Sequence, residues 1–250
     1  MTLLLLVGVT ELSLNLFQEN ELERKRSSVV DKVATVRAKI EGEFNSTLFL
    51  SAGLMAHVAT HPDIDEQEFT LIASEIVATG RNIKNIGLAK DNVITHIFPL
   101  AGNKAALGLE YKKLTLQWPA VARAVDLKST VVAGPVDLVQ GGRGFIVRTP
   151  IYTSSGVSGY LKRHKPSYWG LASIVIHADG FFQSAEFGVV VDGIEFAIRG
   201  KDGLGSNGGM IIGSEKLFEL DPVISTINLP NGWIMANGRY AVGRMATRPY

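Results

Sequence analysis

The 250-residue sequence contains no cysteine. That absence excludes disulfides, thiolate zinc sites and cysteine nucleophiles, and it leaves the cellular compartment open. An excess of either charge is also missing. Twenty-five Lys and Arg face 24 Asp and Glu, for a net charge of +1. Nucleic-acid binders normally carry a clear basic surplus, so no nucleic-acid partner is expected. No apolar run approaches the roughly 20 residues that cross a bilayer. The run 3–9 is short, as are 171–177 and 188–191. No basic segment precedes Leu3, so the start does not read as a signal peptide. Residues 3–9 are either the outer end of a transmembrane helix or the apolar start of a soluble one.

Proline is absent between Glu21 and His61. In that stretch Val29, Val33, Val36, Ile40, Phe44, Leu48 and Met55 recur mostly at helical spacings of three and four. The pattern predicts one helix of about 40 residues, roughly 60 Å long, ended by Pro62. Asp63 or Asp65 then caps a second helix over 66–78, closed by Gly80. Strands follow at 83–89 and 93–100 around the turn Lys90-Asp91-Asn92. A short helix is expected over 118–125, with Pro119 in its first turn. Further strands are expected at 131–133, 136–140 and 145–153, the last two joined by Gly141-Gly142-Arg143-Gly144.

Residues 154–159, Ser-Ser-Gly-Val-Ser-Gly, read as a linker. Beyond them the order repeats: a strand at 169–177, a short helix from Asp179, then strands at 195–199, 210–212, 224–228 and 233–237. The expected class is α+β, with a long N-terminal helix and two tandem PAS-like domains built on antiparallel sheets. The corresponding boundaries are 1–61 for the helical stalk, 62–155 for the first domain and 156–250 for the second.

Two segments carry a family resemblance. FPLAGNKAALGLEY (98–111) and VVAGPVDLVQGGRGFIVRTPIY (131–152) stand in the order and at roughly the distance found in the CHASE domain. This is the extracytoplasmic sensor domain of histidine kinases and diguanylate cyclases, with a relative in plant cytokinin receptors. The resemblance covers about 60–155 well and the second unit only in outline. It implies a membrane-distal PAS-like domain holding a small organic ligand and a membrane-proximal one beside the membrane. It also implies a homodimer through the long helix, flanking transmembrane helices, and a cytoplasmic kinase or cyclase beyond Tyr250. The sensor region itself is expected to be no enzyme and to need no cofactor. Its place is the periplasmic or extracellular face of the membrane.

Family pocket positions match 96–100, 131–133 and 145–149, with 145–153 expected at the centre of a curled sheet. Alternation sets Ile146, Arg148 and Pro150 on one face of that strand and Phe145, Val147 and Thr149 on the other. Arg148 stands out because an unpaired buried guanidinium is costly. A ligand carboxylate or phosphate would pair with it; otherwise it faces solvent or pairs with a protein carboxylate such as Asp137. The candidate ligand-binding residues are Phe98, Tyr111, Trp118, Val132, Ile146, Arg148 and Tyr152. For the aromatic residues the alternative is core packing. Asn103 is expected to fix its loop through side-chain bonds to the main chain.

Other patterns carry less. His57 and His61, four apart on a helix, do not complete a metal site. Gly203 to Gly208 spells G-x-G-x-x-G, but the segment leads into a strand and reads as a hairpin loop, not a dinucleotide fingerprint. No nucleophile sits at a strained elbow. An envelope hydrolase would need a converging catalytic set, and a structural spacer would need no pocket; these are the alternatives to a sensor.

Overall fold

The chain is described from a computed structural model that covers residues 2–138, 141–153, 166–185, 187–188, 190–191, 193–220 and 222–240. Helix α1 (Thr2–Thr60) is a single unbroken element of 59 residues, about 90 Å long. Val29, Val33, Val36, Ile40, Phe44, Leu54 and Val58 form its buried stripe. Residues 11–20 and 22–28 are exposed, so this part of the helix stands clear of the body. Among the described residues no helix is long and apolar enough to cross a membrane. Helix α2 (Glu66–Thr79) begins where the Asp65 carboxylate accepts from the main-chain N–H groups of Gln67 and Glu68, both at 2.9 Å.

The first sheet contains β1 (Ile83–Lys90), β2 (Val93–Phe98), β3 (Val131–Asp137), β4 (Arg143–Thr153) and β5 (Ser167–His177). Helix α3 (Trp118–Leu127) precedes β3. The strand order is β2-β1-β5-β4-β3, antiparallel throughout. Two sequence expectations change here. The central strand is β5, and β4, which holds 145–153, lies one place from the edge. Moreover β5 does not open a second unit: it pairs with β1 on one side and β4 on the other. Its burial is nearly continuous along its length, as a strand covered on both faces requires. Residues 131–137 form one strand with an irregular step between Ala133 and Val136. The 154–159 linker lies outside the described residues.

The second sheet contains β6 (Val190–Val191), β7 (Ile194–Arg199), β8 (Met210–Ile212), β9 (Val223–Leu229) and β10 (Gly232–Tyr240), preceded by helix α4 (Ala178–Ser184). Its order is β6-β7-β10-β9, with β8 also pairing β7. The Gly203–Gly208 motif lies in single 3₁₀ turns between β7 and β8 and opens no α-helix.

One face of each sheet rests on α1. Near its middle, Val29 and Val33 meet the second sheet beside Gly238 and Phe196. Farther along, Phe44 packs edge-on against Phe145 at 5.4 Å and against Phe181 at 4.7 Å. Phe181, Phe182, Phe187 and Phe196 continue this aromatic chain into the second sheet. Each buried phenylalanine contributes about 1.5–3 kcal/mol, so the two sheets and the helix share one core. Polar clamps tie the sheets together at the opposite side. Asp202, in the glycine-rich turns, accepts from the Gly134 N–H at 2.7 Å through its carboxylate. Its carbonyl accepts from Arg123 of α3 at 2.6 Å. Asn231 donates to the Ser129 hydroxyl and the Thr130 carbonyl.

Asp202 has positive φ (62°), a conformation that Asn tolerates and Ala does not. Asp202→Ala is therefore expected to cost about 1–3 kcal/mol in urea unfolding, and Asp202→Asn, which keeps an acceptor oxygen, much less. Equal losses for the two variants would show that the clamp does not act through that bond.

Candidate functional site

The first sheet has two unlike faces. Ile86, Leu88, Phe145, Val147, Ile174 and Ile176 point toward α1 and join its core. The opposite face carries Asn85, Gly87, Ile146, Ser173 and Val175, and these line a cavity of about 50 Å³. That is room for a few waters as it stands, and an organic molecule would have to widen it.

The hollow has a local cause. A single cross-strand row runs Ile97, Gly87, Ser173, Arg148, Val131. Gly87 and Ser173 lie at the middle of this row and fill little space. The walls then come from the segment after β2. Asn103 is buried and holds the bend: its amide donates to the carbonyls of Pro99 (2.8 Å) and Ala101 (3.3 Å), and its oxygen accepts from Asn85 at 3.0 Å. The chain turns back, and Ile94 and Gly108 exchange main-chain bonds with their partners, Ile94 N–H to Leu109 and Gly108 N–H to Ile94. Ala106, Leu109, Tyr111 and Leu114 are thereby laid over the sheet as the cavity's cover.

Tyr111 is buried, and its hydroxyl is 2.9 Å from the Ser173 hydroxyl. Arg148 is next to Ser173 in the row and is 1% exposed. One of its Nη groups donates to Gln117 Oε1 at 2.7 Å, and its Cζ lies 5.5 Å from the Tyr111 ring centroid. Among the described residues its Nε has no partner and no carboxylate is within ion-pairing distance. Burial lowers the Arg148 pKa from its ordinary value; Tyr111 and Asp202 act in the opposite direction. An arginine starts so far above neutrality that it remains cationic. Gln117 Oε1 accepts from Arg148, so its N–H₂ is the end of that amide left to donate; Gln117 also lines the cavity.

Of the seven candidate residues, Tyr111 and Ile146 line the cavity, and Arg148 lies directly behind Tyr111 and Gln117. Trp118 packs with Tyr111 on this side of the sheet without reaching the hollow. Tyr152 donates to the Val125 carbonyl at 3.2 Å, away from it. Phe98 and Val132 do not belong to the site. Phe98 pairs with Ile86 and Val132 with Val147, and all four face the α1 core. Each is one residue out of phase with the cavity face, where Ile97 and Val131 stand. Asn85, Gly87, Gln117 and Ser173 were not among the candidates. For Asn85, Gly87 and Ser173 the signal was a small or polar residue set into an apolar strand; Gln117, just before α3, carried no such signal. His57 and His61 stack at 4.6 Å, and His57 Nε2 lies 2.8 Å from a Glu68 carboxylate oxygen.

The sequence profile of the CHASE domain matches residues 55–209. The chain belongs to the CHASE domain family. As a CHASE domain it is an extracytoplasmic ligand-binding sensor domain of the receptor type. The fold agrees with solved sensor structures. An extracellular ligand-binding receptor from Desulfohalobium retbaense is similar with TM-score 0.65 and 12% identity, over 85% of this chain and 40% of that one. The chain thus spans about two fifths of that receptor chain. The ligand-binding domain of the Pseudomonas aeruginosa amino acid chemoreceptor PctC, in complex with GABA, gives 0.56 and 14%, over 88% and 99%. The Campylobacter jejuni chemoreceptor Tlp3 domain, in complex with L-valine, gives 0.56 and 11%, over 88% and 94%. Comparison with curated proteins finds no match.

At Gly87 an added Cβ would meet only the His96 carbonyl, at 3.4 Å. Gly87→Val therefore fills the hollow and puts a β-branched residue into a strand. It is expected to raise stability by about 1 kcal/mol in urea unfolding; a clear loss would mean that the space over the sheet is already filled.

Proposed function

We propose that this CHASE domain is the ligand-sensing part of a transmembrane receptor, with a histidine kinase or diguanylate cyclase as output, and that its small-molecule ligand occupies the cavity over the first sheet. The observation that carries this reading is the cavity itself: a hollow built from Gly87 and Ser173, covered by the segment after β2, with a buried cation behind its Tyr111–Gln117 wall that has no ion-pair partner among the described residues. Two similar domains hold GABA and L-valine, which supports a ligand of metabolite size. The sensing residues are Tyr111, Ile146 and Arg148, joined by Asn85, Gln117 and Ser173. Trp118 and Tyr152 support the cover and the α3 side.

The first sheet is the membrane-distal unit and the second is membrane-proximal. In support, α1 meets the second sheet nearer its N-terminal end, around Val29 and Val33, and the first sheet nearer its C-terminal end. The exposed Leu12, Leu16, Phe17 and Leu22 on the free part of α1 support pairing with the same helix of a second copy. Ligand in the cavity presses on the floor of a sheet whose other face carries Phe145 against Phe44. It also bears on Gln117 at the start of α3, whose Arg123 is clamped to Asp202 of the second sheet. Both routes lead to the helix or to the proximal unit. The ligand shifts the balance of states only by its difference in affinity between them.

Thermal unfolding with a broad metabolite panel tests the reading. At least one compound is expected to raise the midpoint of the wild-type protein and to lose that effect in Gly87→Val. A panel in which every shift survives that substitution would remove the cavity from the account.

A further inference from the structure

We infer that the cavity selects a small carboxylate that has an apolar tail and lacks an α-ammonium group. The inference rests on the reading of this cavity as the ligand site and adds the chemical class of the ligand. Three observations carry it.

The first is the sign of the charge at the wall. Arg148 is cationic, 1% exposed and without an ion-pairing carboxylate among the described residues. Buried charges are ordinarily paired. Asp202 acts on it only electrostatically, and the Asp202 carboxylate already accepts from the Gly134 N–H. The guanidinium lies behind Tyr111 and Gln117 and does not itself line the hollow, so it makes the potential at that wall positive without touching the space.

The second is the kind of polar atom available. The polar lining residues are Asn85, Tyr111, Gln117 and Ser173, all neutral. Gln117 turns its oxygen to Arg148 and leaves its N–H₂ to donate. Tyr111 and Ser173 share one hydroxyl hydrogen bond, so one hydroxyl proton of the pair remains to be given to an acceptor. Two donors backed by a guanidinium suit a carboxylate.

The third is the absence of acid from the wall: among the described residues no Asp or Glu lines the cavity. An α-ammonium would find no protein carboxylate to pair with and would face the positive potential of Arg148 behind the wall, whereas a des-amino acid of the same chain meets no such cost. The remaining lining, including Ile94, Ile97, Leu109, Leu138 and Val175, is apolar and suits a short hydrocarbon tail.

Titration calorimetry with matched probes tests this: butyrate and isobutyrate, their α-amino counterparts 2-aminobutyrate and valine, and butyramide. Butyrate or isobutyrate is expected to bind, with the amino acids and the amide weaker by about tenfold or more. Arg148→Gln is expected to lose carboxylate binding by a similar factor. Gln117→Glu, which sets a carboxylate beside Arg148, is expected to lose it with no fall in the thermal midpoint. Amino acids or butyramide binding as tightly as the carboxylates would overturn the inference. So would undiminished butyrate binding in Gln117→Glu. If no probe binds while another compound shifts wild type but not Gly87→Val, the carboxylate class is wrong and the cavity remains the sensing site. If nothing responds to Gly87→Val, both fall.

Discussion

A guanidinium buried behind the wall of a small cavity, without a carboxylate to pair it, is the constraint on which this structure turns. Placing a charge there works against stability. The chain reduces that cost by local means: a hydrogen bond to Gln117, the face of the Tyr111 ring and a distant acid at position 202. None of these neutralises it. The arrangement makes physical sense when a visiting anion completes it, and much less when Arg148 is viewed as a stabilising residue.

In the proposed reading the sheet around Arg148 serves transmission as well as binding. Its floor is the row Gly87–Ser173–Arg148, and its underside is Phe145, Val147 and Ile174 against α1. A change in the space above the floor is felt by packed side chains on the helix, because interiors are close-packed and pass on displacement. The second sheet is reached in two ways. One is the aromatic chain from Phe44 to Phe196; the other is the clamp from α3 through Arg123 to Asp202 and Gly134. The glycine-rich turns that resemble a nucleotide loop in sequence serve here as the socket of that clamp.

Much of this was legible in the sequence, for reasons that can be named. The long helix announced itself because its buried residues repeat at three and four without a proline. Arg148 and Ile146 were placed on one face by simple alternation, and Asn103 by its preference for capping its own bend. The errors came from what alternation cannot supply. Phe98 and Val132 were assigned one residue out of phase, since a register shift of one reverses the face. The membership of β5 in the first sheet depends on hydrogen bonds to β4 and β1, whose paired residues lie 14–33 (153/167 to 144/177) and 80–93 (90/170 to 83/176) positions away in sequence. Gly87 and Ser173 were overlooked because a site made by missing volume has no chemical motif, only small residues among large ones.

The central claim is that the Arg148 charge serves a ligand and does not hold the fold together. Urea unfolding of Arg148→Met in ligand-free protein measures this most directly. The account predicts stability equal to wild type within about 1 kcal/mol, or higher, because a buried charge gives way to an apolar chain of similar length. A loss of about 3–5 kcal/mol, the size expected when a buried pair is broken, would contradict it.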